Sequence, residues 1–306
     1  MKYAIIDIGS NSVKMTVYEK GEKCFSLSNT AGLISYVKNG VLSSAGLSLL
    51  TEILERYKSA ALTDLVEEEN IHLFATASLR ALSDPYSVID EIHKRCNLKI
   101  VLLSGEEEAE MSLIGALSSR ETPPEGVLID MGGGSFEVTH YKNGGSVASH
   151  SFALGALSLF RAFVSEILPT KDEFSEIYSV VSRSLSANGP FANTKSYPVT
   201  VIGGSFKALA LIYGKINGSV FDAEKPFTMK VSNIKKLADR LLDLNFEDRI
   251  MMISTIPDRI HTTLPALSAL LAIADHFGCD EILLSPASAR DGYYKKLLEG
   301  SEKEQI

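Results

Sequence analysis

Two stretches of the chain carry the same order of apolar and polar positions. In the first, an apolar run at 3–7 ends at a glycine-containing turn, and residues 13–18 then alternate like a half-buried strand. In the second, residues 127–130 are apolar, and residues 136–141 alternate after another glycine-rich turn. Each stretch therefore predicts two adjacent strands joined by a glycine loop and followed by a hairpin turn.

These two stretches align without gaps when the sequence is shifted by 123 residues. Residues 6–12 then lie on residues 129–135. A second pair of segments aligns at a slightly different offset, with residues 75–82 on residues 202–209. Two matches in the same order along the chain indicate an internal duplication.

The remaining periodic segments predict alternating helices and strands. Helices are expected at 44–58, 85–96, 157–167, 171–185 and 288–298, and the longest apolar stretch, 264–273, in a buried helix. Strands are expected at 71–75, 100–103, 199–202 and 281–284. Hairpin strands followed by alternating strands and helices imply a mixed sheet with helices on its faces, which is an α/β fold.

Length and composition predict two domains in the chain. At 306 residues, the chain exceeds what one hydrophobic core usually organises. The segment 118–126 contains two consecutive prolines and favours neither helix nor strand, so it is the expected hinge. We therefore predict a first domain at 1–122 and a second at 123–306, with a final helix at about 288–300 that packs back on the first domain.

Composition argues against several classes of protein. The formal net charge of −8 is unfavourable for broad nucleic-acid binding. No run approaches the roughly 20 apolar residues that a membrane span needs, and Asp7 breaks the apolar start, unlike in a signal peptide. The three cysteines are far apart and odd in number, which favours a reduced, cytoplasmic setting. Neither nucleic acid nor a membrane is an expected partner, and the oligomeric state stays open, a homodimer included.

The glycine loops at 7–12 and 130–135 have the composition of anion-binding sites. Glycine lets the backbone approach a ligand closely, exposed N–H groups form an anion-binding concavity, and Ser or Asn side chains add donors. An ordinary hairpin turn is the alternative for either loop alone, but two loops at equivalent positions of a duplication favour phosphate binding. The P-loop pattern is absent, and Glu137 stands where the dinucleotide fingerprint and the nucleophile elbow each need a glycine.

Five ordered motifs carry a resemblance to a known family. They are Asp7-Ile-Gly-Ser-Asn-Ser12, Ala75-Thr-Ala-Ser-Leu-Arg80, Leu103-Ser-Gly-Glu-Glu-Glu-Ala109, Asp130-Met-Gly-Gly-Gly-Ser135 and Ile202-Gly-Gly-Ser205. With them the sequence resembles the exopolyphosphatase/guanosine pentaphosphate phosphohydrolase (Ppx/GppA) family in its short two-domain form. That family belongs to the actin–Hsp70–sugar kinase superfamily. The resemblance therefore implies two duplicated ribonuclease H-like domains, the actin-like ATPase fold, with an interdomain cleft.

The resemblance also implies roles for individual residues. It places the family's proposed catalytic glutamate on Glu108, as a general base that deprotonates water. It places Mg²⁺ on Asp130 and Glu137, with Asp7 acting through the water shell of the metal. The residues expected to bind phosphate lie in the glycine loops, just after the first loop and in the two short matched motifs: Gly9, Ser10, Asn11, Ser12, Lys14, Ser78, Arg80, Gly132, Gly133, Gly134, Ser135, Gly203, Gly204 and Ser205.

The segment before Glu108 also has a purely structural interpretation. Ser104 is placed to cap a helix, with Glu107 completing a capping box. Glu106 and Glu107 complement the helix dipole in the first turn, which accounts for both, so Glu108 alone is the catalytic candidate. For Arg80, at the start of an expected helix, a surface ion pair is the alternative to phosphate binding.

Several positions depart from the family pattern. Phe136 replaces a threonine after the second loop, Ser158 stands where an arginine is expected, and Lys14 replaces the usual arginine near the first loop. Arg259 is retained, but His261 replaces an aspartate near it. The residues expected to bind water and metal are thus kept, while some expected cations for the substrate are missing.

The sequence therefore predicts a Mg²⁺-dependent phosphohydrolase that releases terminal orthophosphate from inorganic polyphosphate or from pppGpp. One alternative is a catalytically weakened regulator that binds alarmone or polyphosphate, which the missing cations favour. Another is a small-molecule kinase of the same superfamily. Retention of Glu108 argues against the first alternative, and the motif around it argues against the second.

Overall fold

Two main β-sheets organise the fold in a computed structural model that describes residues 1–188, 190–192, 196–243 and 245–303. The strands are β1 (Lys2–Ile8), β2 (Ser12–Glu19), β3 (Glu22–Thr30), β4 (Val37–Lys38), β5 (Val41–Leu42), β6 (Ile71–Ala75), β7 (Ile100–Leu102), β8 (Glu125–Met131), β9 (Phe136–Lys142), β10 (Gly145–Phe152), β11 (Val199–Ile202), β12 (Phe227–Lys230) and β13 (Glu281–Leu284). The helices are α1 (Ser44–Thr63), α2 (Ala77–Arg80), α3 (Pro85–Cys96), α4 (Gly105–Ala116), α5 (Ala156–Phe163), α6 (Lys171–Ala187), α7 (Gly204–Asn217), α8 (Val231–Leu242), α9 (Phe246–Thr255), α10 (Ile260–Phe277) and α11 (Ala289–Lys303). Short 3₁₀ turns lie at Leu33–Tyr36, Glu68–Asn70 and Pro257–Arg259.

Each helix and strand expected from the sequence is present, and the ends of α1, α5, α10 and α11 differ by four or five residues. Helix α1 runs to Thr63, five residues beyond the prediction, because the added turn buries Ala61 in the core. Helix α5 ends at Phe163, four residues early. It stops there because the backbone N–H of Ser165 donates to Glu173 Oε1 at the start of α6 (2.9 Å) instead of continuing the helix.

The first sheet has the strand order β3-β2-β1-β6-β7, in which β1 is antiparallel to β2 and parallel to β6. Successive residues of β1 face opposite sides of the sheet. Ile6 packs in a core with α1 and α3, whereas Ile5 packs in a smaller cluster with α4 and α11. Helices therefore cover both faces of this sheet, and together they form the compact unit Met1–Gly115 and Ala289–Ile306.

The second sheet, in the unit Ala116–Ser288, has the strand order β10-β9-β8-β11-β13-β12. Strands β8, β11 and β13 are parallel, and β12 closes one edge antiparallel to β13. Helix α10 is the buried helix expected around 264–273, and its Ser268 hydroxyl donates to the Phe174 carbonyl (2.7 Å). Among the helices that the structure describes, none, including the 18-residue α10, has the length and apolar character to cross a membrane.

The two sheets repeat one topology. Strands β1, β2 and β3 are arranged in the same order as β8, β9 and β10. The outer hairpin of each sheet closes through a two-residue turn, Lys20-Gly21 in the first and Asn143-Gly144 in the second, with positive φ at both positions. Turns of this kind match the twist of antiparallel strands. The duplication in the sequence is thus also a duplication of structure.

The compact units divide the chain after Gly115 and again before Ala289. Residues 117–124 form neither helix nor strand, in the region where the sequence places the hinge. Helix α11 packs in the first unit, where Tyr294 joins a cluster with Ile5. The domain limits at 122 and 123 and the cleft between the domains stay predictions.

We expect Leu270→Ala to destabilise the second unit by about 2–5 kcal/mol, because Leu270 is fully buried in α10 and its removal leaves a cavity. The measurement is urea unfolding followed by circular dichroism. Ile253→Ala in α9 is the matched control, since this side chain is 54% exposed. The control should change stability by no more than about 0.5 kcal/mol. Equal effects of the two substitutions would contradict this packing.

Candidate active site

The carboxyl ends of parallel strands gather the predicted site residues at one edge of each sheet. In the first unit, β1 leads into the first glycine loop, β6 into α2 and β7 into α4. In the second unit, β8 leads into the second glycine loop and β11 into α7. Neighbouring strand ends are tied directly, as when Leu103 N–H donates to the Ala75 carbonyl (2.9 Å). This edge is where open α/β sheets bind their ligands.

The first glycine loop is closed by a backbone hydrogen bond from Gly9 N–H to the Ser12 carbonyl (3.1 Å). The carbonyl of Asn11 accepts a hydrogen bond from Gly32 N–H (2.8 Å), which anchors the loop from outside. Ser10 Oγ and Asn11 Nδ2 are buried, and within the described residues neither has a hydrogen-bond partner. Buried polar groups are normally paired, so these two atoms are candidate donors to an anionic ligand.

The second glycine loop is closed in the same way, by Gly132 N–H and the Ser135 carbonyl (2.9 Å). The first turn of α5 donates hydrogen bonds to the backbone of this loop. The backbone N–H of Ser158 donates to the Gly133 carbonyl (3.0 Å), and the Ser158 hydroxyl donates to the Gly134 carbonyl (3.1 Å). At the position where the family pattern has an arginine, this chain therefore has a residue that fixes the backbone of the loop.

The two hairpins differ in charge where their strands meet the loops. Asp7 faces Lys14 across β1 and β2, whereas Asp130 faces Glu137 across β8 and β9. Directly opposite residues of an antiparallel pair have Cβ atoms about 4.5–5.5 Å apart, and like charges at that distance destabilise the sheet. The second hairpin thus places two carboxylates opposite each other where the first places opposite charges, and a bound cation would offset their repulsion.

Glu137 is only 1% exposed, and two hydroxyl groups orient it. Ser135 Oγ and Ser151 Oγ each donate to Glu137 Oε1 at 2.7 Å. The sequence analysis missed Ser151, which lies opposite Glu137 on β10. A register shift between Ser146 and Ala148 moves every later partner by one position, so counting from the hairpin turn would not have found it.

The donors of the second hairpin fit the chemistry of Mg²⁺. This ion prefers oxygen ligands and is commonly held by one or two carboxylates together with waters and substrate phosphates. Asp130 and Glu137 supply two carboxylates on neighbouring strands. Across the described ranges, no group of three or more His, Cys, Asp or Glu side chains could hold a metal. A site that shares its metal with a phosphate ligand fits these residues better than a cage built by the protein alone.

Asp7, the duplicate of Asp130, is contacted by an arginine that the sequence analysis did not single out. Arg290 Nη1 lies 3.2 Å from Asp7 Oδ2. Burial raises the pKa of the Asp7 carboxyl, and the charges of Arg290 and Lys14 lower it by less. The two partners are 283 positions apart, so no local pattern reveals the pair. The role of Asp7 in the water shell of a metal stays a prediction.

Glu108 is buried in the first turn of α4 and paired with Arg80. Arg80 Nη1 lies 2.8 Å from Glu108 Oε2 and also donates to the Leu103 carbonyl (2.9 Å). The capping box is confirmed: Glu107 N–H donates to Ser104 Oγ (3.1 Å), and Ser104 N–H donates to Glu107 Oε2 (2.7 Å). Glu107 therefore caps the start of the helix.

Arg80 is the last residue of the short helix α2, not the first residue of a helix as expected. The chain turns there because the next helix begins at Pro85, with Asp84 as its N-cap. Ser78 Oγ donates to the Ile8 carbonyl (2.6 Å), which ties α2 to the end of β1. Arg80 does form an ion pair, but one that is largely buried, with 22% of the Arg80 side chain and 10% of the Glu108 side chain exposed.

The third glycine segment, at the start of α7, allows unusually close backbone contacts. Gly203 has a φ of 128°, and a Cβ there would lie 2.4 Å from the Met131 carbonyl oxygen, so only glycine fits. A Cβ at Gly204 would lie 2.8 Å from Arg259 Cζ, so the guanidinium packs on this glycine. Burial lowers the pKa of Arg259, but an arginine stays protonated in proteins. A half-buried positive charge therefore lies beside the N-terminus of α7.

Two departures from the family pattern are packing residues. Phe136 is fully buried and stacks on Phe152, with ring centroids 4.8 Å apart. His261 contacts Phe160 edge to face, with centroids 5.2 Å apart. Burial, and then the charge of Arg259, lower the pKa of His261. Near neutral pH its imidazole is therefore held uncharged.

Comparison with protein families identifies the family of this chain. The model of the Ppx/GppA phosphatase family matches residues 32–300. The chain belongs to the Ppx/GppA phosphatase family. The resemblance inferred from the five motifs is thereby confirmed.

Curated relatives of this Ppx/GppA chain include larger proteins. A bifunctional 3-dehydroquinate synthase/phosphatase of Fusobacterium nucleatum is 24% identical over 317 residues, which cover 98% of this chain and 46% of the relative. A guanosine-5'-triphosphate,3'-diphosphate pyrophosphatase of Pseudoalteromonas translucida is 24% identical over 307 residues, which cover 97% of this chain and 59% of the relative. The chain thus spans about half the length of these relatives.

Solved structures show the same fold. An exopolyphosphatase of Cytophaga hutchinsonii superposes with a TM-score of 0.88 at 17% identity, covering 98% of both chains. A Ppx/GppA family member of Aquifex aeolicus superposes with a TM-score of 0.80 at 22% identity, covering 100% of this chain and 99% of the other. At these identities the likeness concerns the fold alone. It confirms the predicted α/β fold of two ribonuclease H-like units, the actin-like ATPase fold.

We expect Gly155→Ala to disturb the second glycine loop. Gly155 has an ordinary φ of −67°, but a Cβ there would lie 2.5 Å from the Gly133 carbonyl carbon and from Ser135 N. Overpacking of this kind costs about 1–3 kcal/mol, so amide hydrogen exchange at Gly132 should accelerate about tenfold. NMR measures this rate. Gly145→Ala is the control, because its Cβ would meet nothing closer than 3.8 Å. Unchanged exchange at Gly132 in the Gly155 variant would contradict the close approach.

Proposed function

We propose that the protein is a Mg²⁺-dependent phosphohydrolase that releases terminal orthophosphate from inorganic polyphosphate or from pppGpp. Membership of a phosphatase family supports hydrolysis of phosphoanhydride bonds. One relative is a pyrophosphatase of guanosine-5'-triphosphate,3'-diphosphate, and one structural neighbour is an exopolyphosphatase. Both substrates present a terminal phosphate on an anionic chain, which is the chemistry that the glycine loops suit.

Glu108 is the observation that carries this proposal. Of the three successive glutamates at the start of α4, Glu106 and Glu107 are exposed and Glu108 is buried. Burying a charge is costly even when it is paired, and the helix start is already capped by Glu107. A buried carboxylate held 2.8 Å from Arg80 is typical of a functional site.

We assign Arg80 to the terminal phosphate of the substrate. A guanidinium binds phosphate in a bidentate manner and pairs with it strongly. When Arg80 turns to the phosphate, its ion pair with Glu108 opens, and the Glu108 carboxylate can then accept a proton. The ion pair is thus the resting arrangement of a base and a phosphate-binding cation.

In the proposed reaction, Glu108 accepts a proton from a water molecule whose oxygen attacks the terminal phosphorus. A bond forms between that oxygen and the phosphorus, and the bond from phosphorus to the bridging oxygen breaks. The products are orthophosphate and a chain that is one phosphate shorter. Phosphoryl transfer of this kind depends on positioning and charge neutralisation more than on covalent chemistry.

We assign the substrate chain to the glycine loops and the cations beside them. Loop N–H groups, together with the buried side chains of Ser10 and Asn11, supply neutral donors. Lys14 and Arg259 supply positive charge next to the first loop and the third glycine segment, respectively. These local charges offset the net charge of −8, which would otherwise repel an anionic substrate.

We assign Mg²⁺ to Asp130 and Glu137. Their position on directly opposite residues and the two hydroxyl groups that orient Glu137 support this choice. When bound, the ion supplies neutralisation of the charge on phosphate oxygens. The role of the protein there is to hold both carboxylates in a fixed orientation.

Glu108→Gln is expected to lower orthophosphate release from polyphosphate and pppGpp by about 10²–10⁴-fold, because glutamine cannot accept the proton. The assay is phosphate release in Mg²⁺, with binding of the same substrates measured in parallel. Glu107→Gln is the matched control from the same helical turn. Glutamine completes a capping box as glutamate does, so the rate should change by less than about threefold. Full activity in the Glu108 variant would refute the proposal, and so would a wild type that releases no orthophosphate. A wild type that binds these substrates without releasing orthophosphate would favour a regulator.

Glu137→Gln is expected to raise the Mg²⁺ concentration for half-maximal activity by at least about tenfold, since one of two metal ligands loses its charge. The shift of the thermal unfolding midpoint on adding Mg²⁺ should shrink in the same variant, which reports binding without turnover. Glu125→Gln on β8 is the control, because that carboxylate pairs with Lys142 (2.9 Å). An unchanged Mg²⁺ dependence in Glu137→Gln would remove this residue from the site.

A further inference from the structure

Helix α11 brings Arg290 onto the first glycine hairpin. Its Nη1 lies 3.2 Å from Asp7 Oδ2, and its Nε donates to Thr16 Oγ1 at 3.1 Å. The Arg290 side chain is 13% exposed and that of Asp7 is 21% exposed. The guanidinium therefore contacts both strands of the hairpin, β1 and β2, in a largely buried setting.

Asp7 lies close to the loop that we assign to phosphate. A Cβ atom on Gly9 would be 3.9 Å from Asp7 Oδ1. The next two loop residues are Ser10 and Asn11, whose buried side-chain atoms have no partner within the described residues. An uncompensated carboxylate at this distance repels an anion, more strongly where water is partly excluded. An anion can bind well at the loop only if the charge of Asp7 is neutralised.

The residues around Arg290 hold α11 firmly on the hairpin. The hydroxyl of Tyr18 on β2 donates to Asp291 Oδ1 (2.9 Å). The rings of Tyr18 and Tyr294 are stacked, with centroids 4.4 Å apart and an angle of 9° between their planes. The hydroxyl of Tyr294 accepts a hydrogen bond from Gly21 N–H (3.1 Å). The helix that carries Arg290 is therefore held on the hairpin by contacts that do not involve Asp7.

The same helix packs on α4, which carries Glu108. A Cβ at Gly292 would lie 1.8 Å from the Met111 carbonyl oxygen, so the two helix backbones are in direct contact there. Lys296 and Glu110 form an ion pair on the surface beside this contact (2.8 Å). Helix α11 therefore contacts both the end of β1 and the helix that carries the proposed base.

The duplicated hairpin shows what is special about this arrangement. In the second unit, Asp130 faces a carboxylate, and we assign a metal ion to that pair. In the first unit, Asp7 faces Lys14 and also receives Arg290 from outside the hairpin. The charge of the aspartate at this strand position is thus compensated by side chains in one unit and, in our proposal, by a metal ion in the other.

We propose that Arg290 is a positioning residue for phosphate binding, which neutralises Asp7 and holds the first glycine loop in the conformation that receives an oligophosphate. The inference rests on the proposed function, because it takes the first loop as a phosphate site. Arg290 acts through Asp7 and does not itself touch the substrate.

The test is calorimetric binding of tripolyphosphate in EDTA, which excludes metal and turnover. Arg290→Gln should weaken binding about tenfold to hundredfold, since it removes one of the two positive charges that offset Asp7 beside the loop. Asp7→Asn combined with Arg290→Gln should restore binding to within about threefold of the wild type, and Arg290→Lys should keep most of it. Lys296→Gln is the control from the same helix. Its side chain is 51% exposed, and binding should not change.

The double variant separates charge neutralisation from a merely structural role. Rescue by Asp7→Asn supports the proposal, whether or not Arg290→Gln alone folds. A folded double variant that binds as weakly as Arg290→Gln would overturn it, and so would wild-type binding by Arg290→Gln. Failure of both variants to fold would assign Arg290 to the stability of the fold and also overturn the proposal.

Orthophosphate release by the wild type, measured in parallel, distinguishes this inference from the proposed function. Arg290-dependent binding without any release would leave the inference standing and refute the hydrolase. If Arg290→Gln changes neither orthophosphate release nor tripolyphosphate binding, the hydrolase would stand and the inference about Arg290 would be refuted. A wild type that binds no tripolyphosphate in EDTA would overturn the inference, whatever its activity in Mg²⁺.

Discussion

One backbone hydrogen bond in each glycine loop sets the geometry on which the candidate site residues of that unit depend. It runs from the first glycine to the serine carbonyl three residues later, from Gly9 to Ser12 and from Gly132 to Ser135. By closing the loop at this length, it fixes the register of the strands that follow. Because side chains alternate faces along a strand, a slip of one residue would turn every side chain of the second strand to the opposite face. The register thus decides which charges face one another beside the loop.

With the backbone held constant, the two units differ through a few charged side chains. The second hairpin places Asp130 opposite Glu137, and hydroxyl groups on β10 and in the loop orient the glutamate. The first hairpin places Asp7 opposite Lys14, and helix α11 adds Arg290. One duplicated frame therefore offers a site suited to a cation in one unit and a loop suited to an anion in the other.

The features that the sequence predicted are those with local causes. The glycine loops, the capping box at Ser104 and the helix and strand order all follow from residues a few positions apart. The pairing of Arg80 with Glu108 joins two motifs that are 28 positions apart, and only the parallel pairing of β6 with β7 brings their loops together. The contact of Arg290 with Asp7 joins residues 283 positions apart, which no periodic pattern in the sequence can predict.

Some side chains have contacts that the sequence did not reveal, for a related reason. In the sequence, Ser158 is notable only because it stands where an arginine is expected. In the structure, its hydroxyl and N–H donate hydrogen bonds to carbonyls of the second glycine loop. Phe136 was noted as a departure from the pattern, and it fills the core. In both cases the function of the side chain depends on the backbone that it contacts, which residue type alone does not specify.

The most direct test of the account is hydrolysis of polyphosphate and pppGpp in water enriched in ¹⁸O, with Mg²⁺ and without an acceptor. If a water molecule deprotonated by Glu108 attacks the terminal phosphorus, each released orthophosphate should carry one ¹⁸O atom from the solvent, seen by mass spectrometry. The absence of labelled orthophosphate with either substrate, from folded protein that binds them, would contradict the account.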